Sequence, residues 1–408
     1  MKSSQKAKIC DICTIRTGKL DSNAAVEGGK YPFFTCAQET FSIDKFAFDT
    51  EAVLLGGNNA NGIFPLKYYQ GKFNAYQRTY IIESKDRNKV LNKFVYFSLR
   101  PVLKYFKSAS IGAATQYLTK PVLDNLKINL PDIKTQRSII DIVYIYDDLI
   151  GINQKRIQLL EQATRLLYRE WFVYFRFPGH ENVKMIDIKG LHIPEGWKYV
   201  PITEINIFKK ISVGVPVFSD MRQYYQTSNI NRTDLIGDGE QVDFENRPSR
   251  ASITPIINAV YFARMKDTEK FLYFNKNNSD LLDKILLSTG MTGFKTAEKY
   301  LGFLFALVSS YEFIQNKNNF ATGATQVSLS DSGLKKIKVV FPKIELIEKF
   351  SEITNPWLEA CSNLRKQNQK LAQARDLLLP RLMSGKIDVS EFDNHNIPLE
   401  SEVEKIVN

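Results

Sequence analysis

The sequence predicts an α+β chain: two mixed α/β domains alternate with two long helices, in an internal pseudo-two-fold repeat. Three observations carry that prediction. Residues 112–131, GAATQYLTKPVLDNLKINLP, recur at 323–342 as GATQVSLSDSGLKKIKVVFP. Each copy runs into a helical pattern whose seam positions alternate at spacings of four and three. Outside those helices, short apolar runs are punctuated by glycine, asparagine and proline, as strands and turns are.

In chain order, residues 1–130 form the first mixed domain. Strands are expected at AVLLG (52–56) and TYIIE (79–83), and a short helix at 89–107. Residues 131–175 form the first long helix, with a seam at Tyr146, Ile150, Asn153, Ile157, Leu160, Thr164, Leu167 and Trp171. The second mixed domain, 176–342, places strands at NAVYFA (258–263) and KILLS (284–288) and a helix at 297–315. The second long helix, 343–387, repeats the seam as Trp357, Cys361, Leu364, Asn368, Leu371, Arg375, Leu378 and Leu382, with Pro356 expected in its first turn. A constant offset pairs Pro131 with Pro342, Ile142 with Ile353, Leu160 with Leu371 and Ala163 with Ala374. A period near half the chain marks a duplicated unit rather than a solenoid. The four-three alternation keeps one stripe facing a partner helix, and each seam carries one register-fixing asparagine. Two such stripes in one chain are expected to pack on each other. From Tyr146 to Trp171 the seam is roughly 38 Å long at 1.5 Å per residue. Lys155, Arg156, Glu161, Lys366, Lys370 and Asp376 are expected on solvated faces. Residues 388–408 form an acidic tail.

Composition narrows the class. The 408 residues are 44% hydrophobic and 12% aromatic, enough for real cores. The longest apolar runs fall short of the ~18–20 residues a membrane span needs. The N-terminus MKSSQKAKICDICTIRTGK lacks a signal peptide's apolar segment. Four cysteines and three histidines fit a reducing cytoplasm, the expected location. Net charge is +11, and its distribution is informative. Lys and Arg number 19 against 10 acids in residues 1–130, and 21 against 17 in 176–342. The helical segments are balanced or acidic, at 6 against 6 and 9 against 11. Cationic surface confined to the mixed domains suits double-stranded DNA as a partner.

Base readout needs Arg or Lys for guanine and Asn or Gln for adenine, and phosphates need cations and amides. In the first domain the candidates are Asn58 and Asn59 in the glycine-rich GGNNANG, then Lys67, Gln70, Lys72, Asn74, Gln77 and Arg78 in KYYQGKFNAYQR. In the second they are Arg222 and Gln223, Asn229 and Arg232, and Arg247, Ser249 and Arg250. Thr115, Gln116, Thr325 and Gln326 belong to the repeated stretch, which favours a structural or phosphate-positioning role at the junction of domain and helix. The repeat is then the mount, and the divergent residues before it the reading head.

Catalytic constellations are not found. No glycine-rich cofactor loop or Asn/Asp-Pro-Pro-aromatic methyltransferase motif occurs, Asn355-Pro356-Trp357 being a partial echo. Gly28-Gly29-Lys30 lacks the spacing of a P-loop. Cys10 and Cys13 have zinc-knuckle spacing but no second pair, so they are expected along a half-buried strand with no metal.

The doubled Gly-Ala-Thr-Gln-to-Pro stretch, with IPEGW at 193–197, resembles the DNA-specificity subunits of type I restriction-modification systems. NRPSRA (246–251), STGM (288–291), YPFFT (31–35) and GKF (71–73) are similar to subclasses of their recognition domains. The resemblance covers nearly the whole chain and implies two target-recognition domains and an antiparallel coiled coil. It implies a non-catalytic reader of a bipartite, asymmetric DNA target, with the coil setting half-site spacing. Two methyltransferase subunits, binding S-adenosylmethionine, would dock on the coil, and restriction (translocase/endonuclease) subunits would join. This chain would itself bind no cofactor. The first domain has no IPEGW-like entry, which implies a shortened N-terminal strand. A coiled-coil scaffold without DNA specificity and an unrecognised DNA-modifying enzyme remain the alternatives.

Overall fold

The computed structural model describes residues 5–59, 64–109, 116–188, 190–324 and 326–389. The chain forms two compact units, residues 1–150 with 369–408, and residues 151–368. The long helices, Ile133–Tyr168 and Ile344–Met383, are therefore not bodies of their own, and each contributes part of its length to either unit. The expected boundaries at 130, 175, 342 and 387 treated them as separate. The physical reason they are not is that each helix segment closes the core of a mixed domain.

In the first unit a six-stranded sheet has the order Cys13–Thr17, Thr79–Ser84, Phe48–Gly56, Leu66–Ala75, Tyr31–Phe34, Phe41–Ile43. Side chains alternate along a strand, and the central strand Phe48–Gly56 uses both faces. Val53 and Leu55 pack with Phe94 and Val95 of the helix Asn92–Ala109, while Ala52 and Leu54 pack with Phe34 and Phe73. Burial on both sides explains why AVLLG reads as an unbroken apolar run. The first face also takes Ile139, Ile140 and Val143 from the first long helix and Leu378, Leu379 and Leu382 from the second. Val389 is buried in the same core, so the packed chain continues past Ile387. The acidic tail from 390 onward lies outside the described residues.

The second unit rebuilds this order. Its first sheet runs Lys209–Lys210, Met291–Lys295, Ala259–Ala263, Phe271–Phe274, every neighbour antiparallel. These strands match, in sequence order and in pairing, the first four strands of the first unit's sheet. The central strand again divides two cores, with Val260 and Phe262 on one side and Tyr261 and Ala263 on the other. Helices Leu301–Val308 and Tyr311–Asn319 stand where Asn92–Ala109 stands in the first unit's sequence. Each unit then closes with a short helix and a strand leading into its long helix. That strand, Lys127–Leu130 or Lys338–Phe341, pairs with an entry strand, Gln5–Lys8 or Lys198–Pro201. Both entry strands are four residues long, so the first is not shortened. Where the first unit carries the hairpin Tyr31–Ile43, the second carries a separate sheet, Glu240–Val242, Arg222–Tyr225, Ile285–Ser288, Ala251–Ile253.

IPEGW forms a turn in which Trp197 donates its backbone N–H to Pro194, and Gly196 adopts φ +85°. The indole packs against Phe172, Phe175 and Phe177 just beyond the first long helix. The motif is thus an aromatic joint between helix exit and domain entry.

Within the second unit the long helices run antiparallel. Asn153 Nδ2 donates to Asn368 Oδ1 at 3.0 Å, and Cys361 lies against the Ile157 carbonyl at 3.8 Å. Within the first unit Arg375 binds Asp147 and Asn129 reaches the Met383 carbonyl. Buried positions include Asn153, Ile157, Thr164, Trp171, Leu378 and Leu382, whereas Tyr146, Ile150, Leu160, Leu167, Leu364 and Leu371 are half-buried. The second seam departs from the expected one: Leu358 is fully buried and Trp357 is not. A straight helix turns 3.6 residues at a time and drifts from a strict heptad where a domain core, rather than one partner helix, covers it. Pro356 does not start the helix but lies inside it. Both Pro356 and Glu352, whose carbonyl loses its donor, are exposed, so water can serve that carbonyl.

Glu161 was expected in solvent and is instead 4% exposed. Its carboxylate accepts from Arg365 at 2.8 Å, from the Tyr273 hydroxyl at 3.2 Å and from the Thr233 hydroxyl at 2.9 Å. Arg365 also binds Asp234 at 2.6 Å. Burial pushes the Tyr273 phenol well above its usual range, keeping it a donor. A buried charge pair adds little over an apolar one, but breaking it strands a charge. Glu161→Ala is expected to lower the second unit's unfolding free energy by about 3 kcal/mol or more. The Glu161→Leu/Arg365→Leu double variant should recover most of that loss, as read by a urea-denaturation double-mutant cycle.

Candidate nucleic-acid interface

The described residues at the end of the repeated motif, from Gln116 in the first unit and from Gln326 in the second, occupy an equivalent place in each unit. In the first, the chain leaves the central strand at Gly57, and Asn58–Asn59 pair antiparallel with Gln116–Tyr117. Leu118 N–H donates to the Gly57 carbonyl at 2.9 Å, and Gly57 N–H donates to the Arg78 carbonyl at 2.8 Å. A Cβ at Gly57 would sit 2.8 Å from that carbonyl oxygen, so only glycine allows the approach. The hairpin loop, the end of Gly-Ala-Thr-Gln and the turn Tyr76–Thr79 thus meet at one end of the sheet. Gln77 and Arg78 are exposed in that turn, whose backbone closes through Thr79 N–H and the Tyr76 carbonyl at 2.8 Å. Asn58 is half-buried; Thr115 and the side chains of Asn59 and Gln116 lie outside the described residues.

The other first-domain candidates fare differently. Lys67 donates to the Ala37 and Glu39 carbonyls at 3.2 and 2.6 Å and to the Thr40 hydroxyl at 3.1 Å. Burial lowers its pKa, and its role in the fold is to hold the 37–40 loop. Asn74 is buried, donating to the Lys45 carbonyl at 3.0 Å and accepting from Ala75 N–H at 2.9 Å, so it presents no free edge to a ligand. Gln70 and Lys72 are exposed, but in register they face Glu51 and Asp49, further back along the central strand. The Lys72 ammonium lies 4.8 Å from the Phe46 ring.

In the second unit the same three segments meet. Leu329 N–H donates to Arg264 at 2.8 Å and Lys266 N–H to Val327 at 3.0 Å, joining the segment after Gly-Ala-Thr-Gln to the extension of the central strand. Arg264 N–H donates to Gly290 at 2.9 Å, and Thr289 N–H donates to Arg250 at 2.9 Å. Gly323 has φ +136°, and a Cβ there would lie 2.4 Å from the Gln326 carbonyl oxygen. Gln326 is exposed, and Thr325 lies outside the described residues.

Of the second-domain candidates, Arg250 and Arg232 are exposed and tied by backbone to this end, the latter through its carbonyl to Phe271 N–H at 2.7 Å. Ser249 is exposed beside Arg250. The Asn229 side chain caps a turn by accepting from Gln226 N–H at 3.0 Å. Gln223 is half-buried beside the Tyr225 hydroxyl. Arg222 and Arg247 form another group, stacked over Phe218 and Phe244 at 4.3 and 4.1 Å, with those two rings 5.5 Å apart. Arg222 begins the strand whose end lies beside Leu287, so it stands at the far end of the second sheet from Thr289. Sequence reasoning missed the hairpin loop Arg264–Lys270, because RMKDTEK lacks glycine and reads as a solvated turn.

No cluster of three or more potential metal ligands occurs among the described residues. Cys10 lies on a helical turn, Ile9–Ile12, rather than on a strand, and burial pushes the Cys13 thiol up to about 12. No described helix is long and apolar enough to cross a membrane.

Residues 1–162 match the family described as the type I restriction modification DNA specificity domain. The chain is similar to the EcoDI specificity subunit of Escherichia coli, with 39% identity over 159 residues. That match covers 39% of this chain and 34% of the relative, so the chain spans about a third of that protein. Similarity to the MjaVIII specificity subunit of Methanocaldococcus jannaschii is broader, at 23% identity over 364 residues, 84% of this chain and 80% of the other. A crystal structure of a type I S subunit from M. genitalium aligns with a TM-score of 0.49 at 16% identity, covering 93% of this chain and 96% of that one.

Two substitutions separate an exposed turn residue from a buried supporting one in the first unit. Arg78→Ala is expected to weaken duplex DNA binding and reduce the log–log salt slope by about 1, with unchanged melting. Asn74→Ala is expected to do the opposite, lowering the melting temperature by several degrees with the slope intact. Fluorescence anisotropy against salt and differential scanning calorimetry check the pair.

Proposed function

We propose that this chain is the DNA sequence-specificity subunit of a type I restriction-modification complex, each unit reading one half of a bipartite, asymmetric target. One observation carries the proposal. Most of the residues that match the specificity-domain family lie in the first unit, and the second unit rebuilds that unit's four-strand order and closing elements and repeats Gly-Ala-Thr-Gln in its sequence. A frame built twice with different loops suits two different half-sites. The basic excess of both mixed segments supplies the sequence-independent attraction that duplex binding requires.

The long helices are the docking surface for two methyltransferase subunits and the element that sets half-site spacing. Besides its buried stripe, the helix Ile133–Tyr168 leaves Leu149, Ile152, Leu159 and Leu166 between 42% and 52% exposed. Their spacings of three and seven form a second apolar stripe, the pattern that takes another helix. Methyl transfer and strand cleavage belong to the partner subunits, with S-adenosylmethionine on the methyltransferases and the restriction subunits joining that core. The complex works in the cytoplasm.

Single-molecule sequencing of a host expressing this chain with its methyltransferase is the test. A split adenine-methylated motif is expected, lost when the chain is omitted and altered in one half when residues 56–78 are deleted. Methylation that persists unchanged without the chain would refute the specificity role and favour the scaffold reading.

A further inference from the structure

We propose that the hairpin loop Arg264–Lys270 is the DNA-contacting loop of the second unit, with Lys266 as its cation on the duplex and Met265 as its apolar contact. The inference rests on the specificity reading above and names residues that the sequence did not suggest. It follows from topology first. The loop connects Ala259–Ala263 to Phe271–Phe274, as the glycine-rich loop after Gly57 connects Phe48–Gly56 to Leu66–Ala75. Both loops are zipped to residues at or just after the glutamine of the repeated motif, through Asn58–Asn59 with Gln116–Tyr117 in one unit and through the Met265–Ser328 bridge in the other.

The loop is also held far more firmly than a solvated turn requires. Lys317, 2% exposed, donates from beneath to the carbonyls of Ala263, Met265 and Thr268 at 3.4, 2.9 and 2.6 Å. Asp267, at φ +54°, exchanges two hydrogen bonds with the Asn318 amide, 3.1 and 3.0 Å long. Arg264 anchors the loop base on the Leu329 carbonyl at 3.0 Å and on Asp331 at 2.8 Å. With the backbone fixed on all sides, Met265 and Lys266 are nonetheless turned to solvent, Met265 at 38% exposure. Rigid backbone under exposed side chains is what recognition needs, because little ordering entropy is left to lose on binding. A lysine serves phosphate or guanine, and a methionine packs against a thymine methyl or sugar.

The experiment uses the full chain assembled with its methyltransferase subunits and duplexes carrying the methylated motif with either half scrambled. Met265→Ala/Lys266→Ala is expected to weaken binding about 10-fold or more. Discrimination should fall for one half of the motif only. Lys266→Gln alone should lower the salt slope by about 1, whereas Lys284→Ala, a charge-matched exposed control on the same unit, should leave slope and discrimination unchanged. Wild-type slope and discrimination in variants of unchanged melting temperature would overturn the assignment while leaving the specificity role intact. A wild-type complex that cannot tell the motif from scrambled DNA would overturn both.

Discussion

Each mixed domain in this chain is closed by segments of two helices, and the fold depends on that closure. In the second unit Ile157 meets Leu358 and Cys361 in the core, with Phe350 and Tyr168 at one side. In the first, Val143 and Leu378 serve the same end for the sheet helix Asn92–Ala109. A sheet with one helix on one face leaves apolar surface uncovered, and the long helices supply what is missing. This also explains why the second helix departs from a strict heptad: its buried positions answer to a domain core as well as to its partner helix.

The buried polar groups at these junctions give the packing its register. The Asn153–Asn368 pair and the Glu161–Arg365 network each satisfy their polar atoms in one alignment of the helices. A slip by one turn would leave a charge and several donors buried without partners, a penalty far larger than the apolar packing it would preserve. The network further ties the helices to Tyr273 and Thr233, so the mixed domain of the second unit is fastened to its own helix segments and cannot rotate about them freely.

The two units share a frame and differ in what is inserted. The four-strand order, the helix after it and the closing strand are common, whereas the hairpin Tyr31–Ile43 in one unit gives way to a separate four-stranded sheet in the other. Changes confined to loops and edge insertions alter what a domain touches without disturbing the cores that hold it. The Gly-Ala-Thr-Gln repeat fits that division. The residues at or just after its glutamine pair with the hairpin loop of the central strand in both units, and at Gly323 a side chain would meet the Gln326 carbonyl.

The sequence by itself determined the duplication, the first helix seam, the two paired asparagines and the central strands. Those features are local or periodic, and burial on both sheet faces writes them as apolar runs. Only the tertiary structure decided which polar residues are free. Lys67, Asn74, Asn229 and Glu161 look like contact or surface residues in the linear chain, yet they bind carbonyls, amides or an arginine inside the fold. Met265 and Lys266, by contrast, look like an ordinary turn. A lysine or asparagine carries the same donors whether its partner is a base edge or the protein's own backbone, and the difference is made by residues distant in sequence that arrive only on folding.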